Sequence, residues 1–187
     1  ESKTILENFS KAEFGKAIMS SLLFFEANKW FNFPYWEMLA DIKPFSLNIA
    51  KKLKFNVPKF IITNNKNDII EFTSNKRTII KGISNADLAI QDNKIKEIPD
   101  FKPFKAGWTN EFYLDGINFE NWDNTPVLLQ EMVKKKLEIR VLLIENKIFA
   151  LATEPDPRNI DIRKSQNKYK PYKLSEVIKE SLRNLMC

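Results

Sequence analysis

PVLLQEMVKKKLEIRVLLIENKIFA, Pro126 to Ala150, is the stretch that decides how this chain is read. An apolar run ends in Gln130-Glu131, a Lys-rich link follows, and a second run carries Glu138 and Arg140. Residues two apart on a strand point the same way, so Glu138 and Arg140 share a face while Ile139 and Val141 enter the opposite layer. A polar strand exit could meet a base, a carboxylate ribose hydroxyls, and a guanidinium phosphate. That set of groups suits a nucleotide pocket.

Outward from this stretch the pattern alternates. Residues 4–27 predict a helix with Ile18, Met19, Leu22, Leu23 and Phe25 on an apolar face. Trp30 to Trp36 reads as an aromatic turn, barred from helix by Pro34, whose rings pack at a domain junction. Residues 41–55 predict a second helix: Phe45, Ile49 and Leu53 recur every four positions, Pro44 fits the first turn and Lys43 stands at the start. Phe60 to Ile62 and Thr78 to Ile80 read as strands, the latter running into Lys81-Gly82. Asn64 is placed to cap a helix between them that ends near Phe72. From Ile83 to Thr125 the periodicity weakens, with strand signals at Asn93 to Glu97 and Glu111 to Leu114. A connection of that length serves as a lid, a binding insertion or a disordered stretch. Val127 to Met132 is a strand, and Leu137 to Ile144 pairs with Lys147 to Ala152 about a Glu145-Asn146 turn, Asn tolerating positive φ. After a charged loop from Thr153 to Lys173, a last helix begins near Ser175 and buries Ile178, Leu182 and Leu185.

Composition narrows the chemistry. The 187 residues can bury a core in one domain or two small ones, and 43% hydrophobic content is that of a folded chain. No apolar run reaches membrane-span length; the longest, Ala17 to Phe25, is broken by Ser20 and Ser21. The single cysteine, Cys187, forms no internal disulfide, which fits a cytoplasmic protein. There is no histidine, which removes Ser-His and Cys-His nucleophile pairs and imidazole acid–base catalysis. Phosphate chemistry needs charge neutralisation and positioning instead, and tolerates that loss. A net charge of +6 suits an anionic partner without naming one.

Each candidate residue has a plainer reading beside the functional one. Lys81, at a strand end before Gly82, could reach phosphates or simply extend into solvent. Lys43 at a helix start opposes the helix dipole, a conflict that a bound anion would relieve. Gln130, Glu131 and the backbone at Met132 and Val133 could meet a base edge, or be an ordinary solvated strand end. Glu138 and Arg140 could be a surface ion pair contributing about 0–1 kcal/mol. Lys134 to Lys136 reads as a solvated turn. Asp161 and Arg163 repeat the acid–base alternation in a loop, where Arg163 is a candidate for phosphate or substrate.

In their order along the chain these residues resemble the ATP-grasp ligases. The resemblance rests on ADIKPFSLNIAKKLKFNVPKFIITNN, TIIKG, LLQEMV, EIRV and DIR, and spans about residues 30–165. Within that superfamily it is nearest to the graspetide (microviridin-type) peptide maturases of the grasp-with-spasm kind. It implies an α+β fold in which two mixed α/β subdomains clasp ATP. On that plan residues 1–33 end an N-terminal domain, 34–128 form a central subdomain with a lid or insertion at 83–125, and 129–187 form an incomplete C-terminal subdomain. By the same resemblance Lys43 and Lys81 contact ATP phosphates, Gln130, Glu131, Met132 and Val133 hold adenine, and Glu138 binds ribose. Arg140 and Arg163 then face the phosphates and an acyl-phosphate intermediate. The implied reaction activates a carboxylate of a ribosomally made (RiPP) precursor peptide with ATP and forms an ester or amide cross-link. The implied partners are that peptide and a second copy in a homodimer, with no nucleic acid and no membrane.

The chain departs from the family where the metal should be held. ATP-grasp enzymes bind magnesium through acidic residues and a Glu-x-Asn motif; after Arg163 this sequence has no aspartate, and Glu176 and Glu180 lie on a predicted helix outside any such motif. Mg2+ ligands are therefore expected in a C-terminal segment absent from this sequence, the chain being a fragment that also lacks most of the N-terminal domain. The competing expectations are a degenerate homologue that does not hold the metal, and a basic module binding peptide or nucleic acid.

Overall fold

The structure, a computed structural model, describes residues 2–26, 30–84, 109–115, 117, 119 and 126–185. The chain divides into two compact units, Glu1–Asp41 and Ile42–Cys187.

The first unit holds helix α1 (Ser2–Leu23) and helix α2 (Pro34–Asp41). Trp30 to Trp36 was expected to be a turn, but Pro34 opens α2. A proline ring fixes φ near the helical value, and the N–H it lacks is unpaired in a first turn anyway. The α1 face read as apolar is half covered at Met19 and Leu22, whereas Ile18 and Leu23 are each 46% exposed. No described helix is long and apolar enough to cross a membrane.

The second unit begins with helix α3 (Lys43–Lys52), which has Pro44 in its first turn. Strand β1 (Phe60–Thr63), helix α4 (Lys66–Thr73) and strand β2 (Thr78–Lys81) follow, then strands β3 (Asn110–Phe112) and β4 (Val127–Glu131). The four strands make one antiparallel sheet in the order β1-β4-β2-β3. Alternation sends Ile61, Leu129, Ile80 and Phe112 to one face, where Ile69 of α4 packs with Ile80, Phe112 and Leu129 in the core. The other face carries Ile79, Lys81, Leu128 and Gln130. Leu128 and Leu129 are both fully buried, so the central strand β4 is covered on both sides. That is why its sequence is a continuous apolar run rather than an alternation.

The cap of α4 is Asn65, not Asn64. Its side-chain oxygen accepts from the N–H groups of Asn67 at 2.8 Å and Asp68 at 3.4 Å, the second and third helical positions that a cap must satisfy. Thr63 Oγ1 donates to Asp68 at 2.9 Å and accepts from the Asn65 N–H at 2.9 Å, fixing the strand-to-helix turn.

A second sheet follows as a meander: β5 (Glu138–Ile144), β6 (Lys147–Thr153) and the short β7 (Lys170–Pro171). The β5–β6 hairpin turns at Glu145-Asn146 as expected, but the positive φ of 51° falls on Glu145. The layer expected to cover Ile139 and Val141 is incomplete among the described residues: Val141 is half-buried and Ile139 is 39% exposed. Helix α5 (Glu176–Arg183) is capped by Ser175, whose Oγ accepts from the Ile178 N–H at 3.4 Å. Its expected burial fails at two of three positions, since Ile178 and Leu185 are exposed and Leu182 alone is half-covered. Helical spacing reports an apolar stripe, not what lies against it. The strand signal at Asn93 to Glu97 and most of the 83–125 insertion lie outside the described residues, as does Cys187.

Leu129→Ala should destabilise the protein by about 2–5 kcal/mol, because it opens a cavity beneath Ile69 and Ile80. Urea unfolding followed by far-ultraviolet circular dichroism measures this; a loss under about 1 kcal/mol would mean that the α4 face of the sheet is not the core.

Candidate functional site

Lys81 is the last residue of β2, and the β2–β4 register sets Gln130 opposite Ile79, two residues earlier. Lys81 and Gln130 are thus diagonal neighbours on the face away from α4. The Lys81 Nζ donates to Gln130 Oε1 at 2.7 Å, and Gln130 is 5% exposed. An ammonium has no acceptor capacity, so the amide must turn its oxygen toward Lys81, which leaves its nitrogen as the donor end. The partner being neutral, the lysine charge is not cancelled.

Other cations converge on the same place. The Lys81 ammonium is pushed below the ordinary lysine range, first by burial and then by the charges of Lys43 and Lys135, while Asp161 pulls it back. Lys43 is brought here by the backbone, its N–H donating to the carbonyl of Ile83, two residues past Lys81, at 2.8 Å. No described side chain caps the start of α3.

Lys135 comes from the link expected to be a solvated turn. Lys134 and Lys136 are exposed, but Lys135 folds inward, pairing with the carboxylate of Glu138 and donating to the carbonyl of Ile160 at 2.9 Å. The Lys135 and Glu138 side chains are 28% and 18% exposed. Sequence spacing hinted at this, since Lys135 stands three residues before Glu138, but direction along an irregular link is not readable from spacing.

Asp161 is 6% exposed. It forks around Arg163, Oδ1 accepting from Nε at 2.9 Å and Oδ2 from Nη2 at 2.6 Å. The Arg163 N–H adds a bond to Oδ1 at 3.0 Å, and the Thr109 N–H one to Oδ2 at 2.9 Å. The Arg163 hydrogen bonds are the main reason that this carboxyl sits well below the usual carboxylate range. The Arg163 side chain stays half exposed, aimed but accessible.

The remaining expected residues divide. Arg140 shares a face with Glu138, opposite Leu151, with its guanidinium 5.9 Å from the centre of the Tyr169 ring. The Glu131 side chain lies on the α4 side of β4, opposite to Gln130, and its N–H donates to the Lys59 carbonyl at 2.9 Å. The Met132 N–H is engaged by the Arg77 carbonyl at 2.9 Å, and Val133 is 51% exposed. What Glu131 and Met132 have left for a ligand at this strand exit is carbonyl oxygen. Lys43, Lys81 and Gln130 therefore gather with Lys135 and Asp161, Glu138 joins through Lys135 and Arg163 through Asp161, whereas Arg140 and the Glu131 side chain stand apart. A cleft of about 650 Å³ bounded by Thr153, Asp156 and Lys170 contains none of the expected residues. Among the described residues no cluster of three or more acidic, histidine or cysteine side chains could hold a metal ion.

No family model and no curated protein matches the sequence. Solved structures do. The chain is similar to the macrocyclase MdnC of Microcystis aeruginosa bound with precursor peptide MdnA, at 21% identity and a TM-score of 0.60, over 79% of this chain and 44% of that one. It is similar to a RiPP-associated ATP-grasp ligase of Chryseobacterium gregarium in complex with ADP and a leader and core peptide, at 19% identity and a TM-score of 0.65, over 96% and 54%. A third is the ATP-grasp ligase PsnB complexed with minimal precursor, Mg and ADP, at 19% identity and a TM-score of 0.52, over 78% and 41%. The chain spans about half the length of these proteins. The fold is thus the mixed α and β ATP-grasp fold.

Asp161→Asn should lower stability by about 2 kcal/mol at neutral pH, because it removes an acceptor of charge-assisted bonds from a buried position. The folded carboxyl is held below its unfolded pKa, so its contribution is complete above about pH 4 and fades as the pH falls toward the folded value. Urea unfolding of wild type and variant from pH 7 to pH 3 should show the gap narrowing on acidification; a constant gap would assign the loss to packing.

Proposed function

We propose that this chain is part of an ATP-dependent ligase that joins a side-chain carboxylate of a ribosomally made precursor peptide to an amine or hydroxyl of the same peptide. The single observation that carries this is the convergence of Lys43, Lys81 and Lys135 on a site where the direct partner of Lys81 is an uncharged amide. Lysines gathered about an ammonium whose direct partner is neutral favour a bound polyanion there. The fold supplies the second support: ATP-grasp neighbours that carry ADP and precursor peptides.

In this reading the γ-phosphoryl group passes to a carboxylate oxygen of the peptide, giving an acyl phosphate and ADP. The amine or hydroxyl then attacks the acyl carbon, loses its proton, and inorganic phosphate leaves. Lys43 and Lys81 hold the phosphates from a helix start and a strand end, and neutralise charge as it moves between oxygens. Gln130 offers its side-chain nitrogen to the base, with the carbonyls of Glu131 and Met132 and the backbone of Val133 beside it. Glu138 accepts from the ribose hydroxyls. Arg163, oriented by Asp161 yet accessible, meets the transferred phosphoryl group, and Arg140 on the Glu138 face meets the phosphates or the substrate carboxylate. Magnesium accompanies ATP in this proposal, and no step is assigned to it because the described residues offer no site for it.

The test is nucleotide binding by Lys81→Met. MgATP at about 100 times its Kd should stabilise the wild-type chain by roughly 2.7 kcal/mol against thermal unfolding, and the variant should lose most of that shift. An equal shift in the variant would remove Lys81 from the site. Binding without ADP release in the presence of a precursor peptide would favour a homologue that binds but does not turn over.

Proton linkage gives an independent check. Lys81 is depressed in the folded protein, so a bound phosphate that restores its ordinary pKa must draw in a proton at pH values between the two. Calorimetric titration with ATP in two buffers of different ionisation enthalpy should report proton uptake that grows as the pH is raised from neutrality toward the ordinary lysine pKa. Lys81→Met should abolish the growth; uptake that is flat with pH in wild type would separate Lys81 from the phosphates.

A further inference from the structure

We propose that Lys135 is a positioning residue that sets the Glu138 carboxylate for the two ribose hydroxyls, an inference that rests on the nucleotide reading of Glu138. An i,i+3 ion pair on a surface contributes little, but this one is different in three respects. Both side chains are largely covered. The ammonium takes a second acceptor, the Ile160 carbonyl, from a chain segment 25 residues away. Its field also reaches Lys81.

The valences define the role. An ammonium carries three donors; Glu138 and Ile160 take two of those on Lys135. Glu138 Oε1 is the atom bound, which leaves Oε2 and the remaining lone pairs of the carboxylate for hydroxyl donors. Without Lys135 the carboxylate would rotate freely and present an uncompensated negative charge close to a polyphosphate. With it, the carboxylate has one orientation and a neutralised charge, so a ribose diol is accepted without repelling the phosphates. Ile160 directly precedes Asp161, so the same ammonium pins the start of the segment that forks Arg163. Lys135 thus ties the strand exit, the start of β5 and the Arg163 loop together while touching none of the reacting atoms.

The experiment compares MgATP with its 2′,3′-dideoxy analogue by calorimetric titration of the wild-type chain, Lys135→Met, Lys135→Arg and Glu138→Gln. Wild type should prefer ATP by about tenfold or more, the scale of charge-assisted hydrogen bonds to the diol. Lys135→Met should bring the two nucleotides to within about threefold, while Lys135→Arg, which keeps a cationic donor, retains most of the preference. A general structural defect would weaken both nucleotides alike and leave the ratio intact, which overturns the inference. If Lys135→Met does not fold, Lys135→Gln is read by the same ratio. A wild-type preference that Glu138→Gln abolishes and Lys135→Met preserves sinks the positioning role alone. No preference in wild type overturns the ribose reading of Glu138 and this inference with it.

Discussion

A half-buried ammonium bonded to an amide rather than to a carboxylate is the constraint around which the second unit is arranged. Desolvation disfavours charged Lys81, and Gln130 supplies an acceptor without supplying a counter-charge. Asp161, the carboxylate that acts on Lys81, is also committed to Arg163 and Thr109, and Glu138 is committed to Lys135. Both acids sit in pairs of their own, and although Asp161 still acts on Lys81, burial and the charges of Lys43 and Lys135 leave its ammonium below the ordinary lysine range. The antiparallel pairing of β2 with β4 makes this possible, because a shift of one residue would send Gln130 into the core beside Ile69 and bring Glu131 to the site.

Much of the sheet was legible in the sequence because it depends on local rules. Period-two patterning and a two-residue turn are enough to find β5 and β6, and an apolar run ending in Lys-Gly finds β2. Two of the misreadings share one cause: a residue with two lawful uses. Pro34 can end a helix or begin one, and it begins α2. Asn64 and Asn65 can both cap, and the choice falls to the one whose oxygen reaches the second and third helical N–H groups once Thr63 has ended the strand. At the hairpin Asn146 has the better intrinsic tolerance for positive φ, yet the positive φ falls on Glu145, the first of the two turn residues.

The placement of the candidate site residues was legible to the same degree and for the same reason. Positions on regular elements were locatable, so Lys43, Lys81, Gln130 and Glu138 could be named from their places on a helix start or a strand. Side chains on irregular chain were not. Lys135 looks no different from Lys134 or Lys136 in sequence, and its inward course is decided by acceptors at Glu138 and Ile160. Asp161 reads as half of an alternating pair, and the sequence does not show that it also takes a fourth hydrogen bond from the N–H of Thr109, 52 residues away, beside three from Arg163.

The bond from the Lys43 N–H to the Ile83 carbonyl belongs to the main chain. It fixes the roots of two lysine side chains, one at a helix start and one at a strand end, at a separation that no side-chain substitution between them resets. The pair therefore behaves as a ruler graduated by backbone geometry. On the proposed reading, a chain of linked anionic groups that bridges both would be measured by length before its chemistry is sampled. Sequence drift can alter almost every neighbouring side chain and leave the gauge intact.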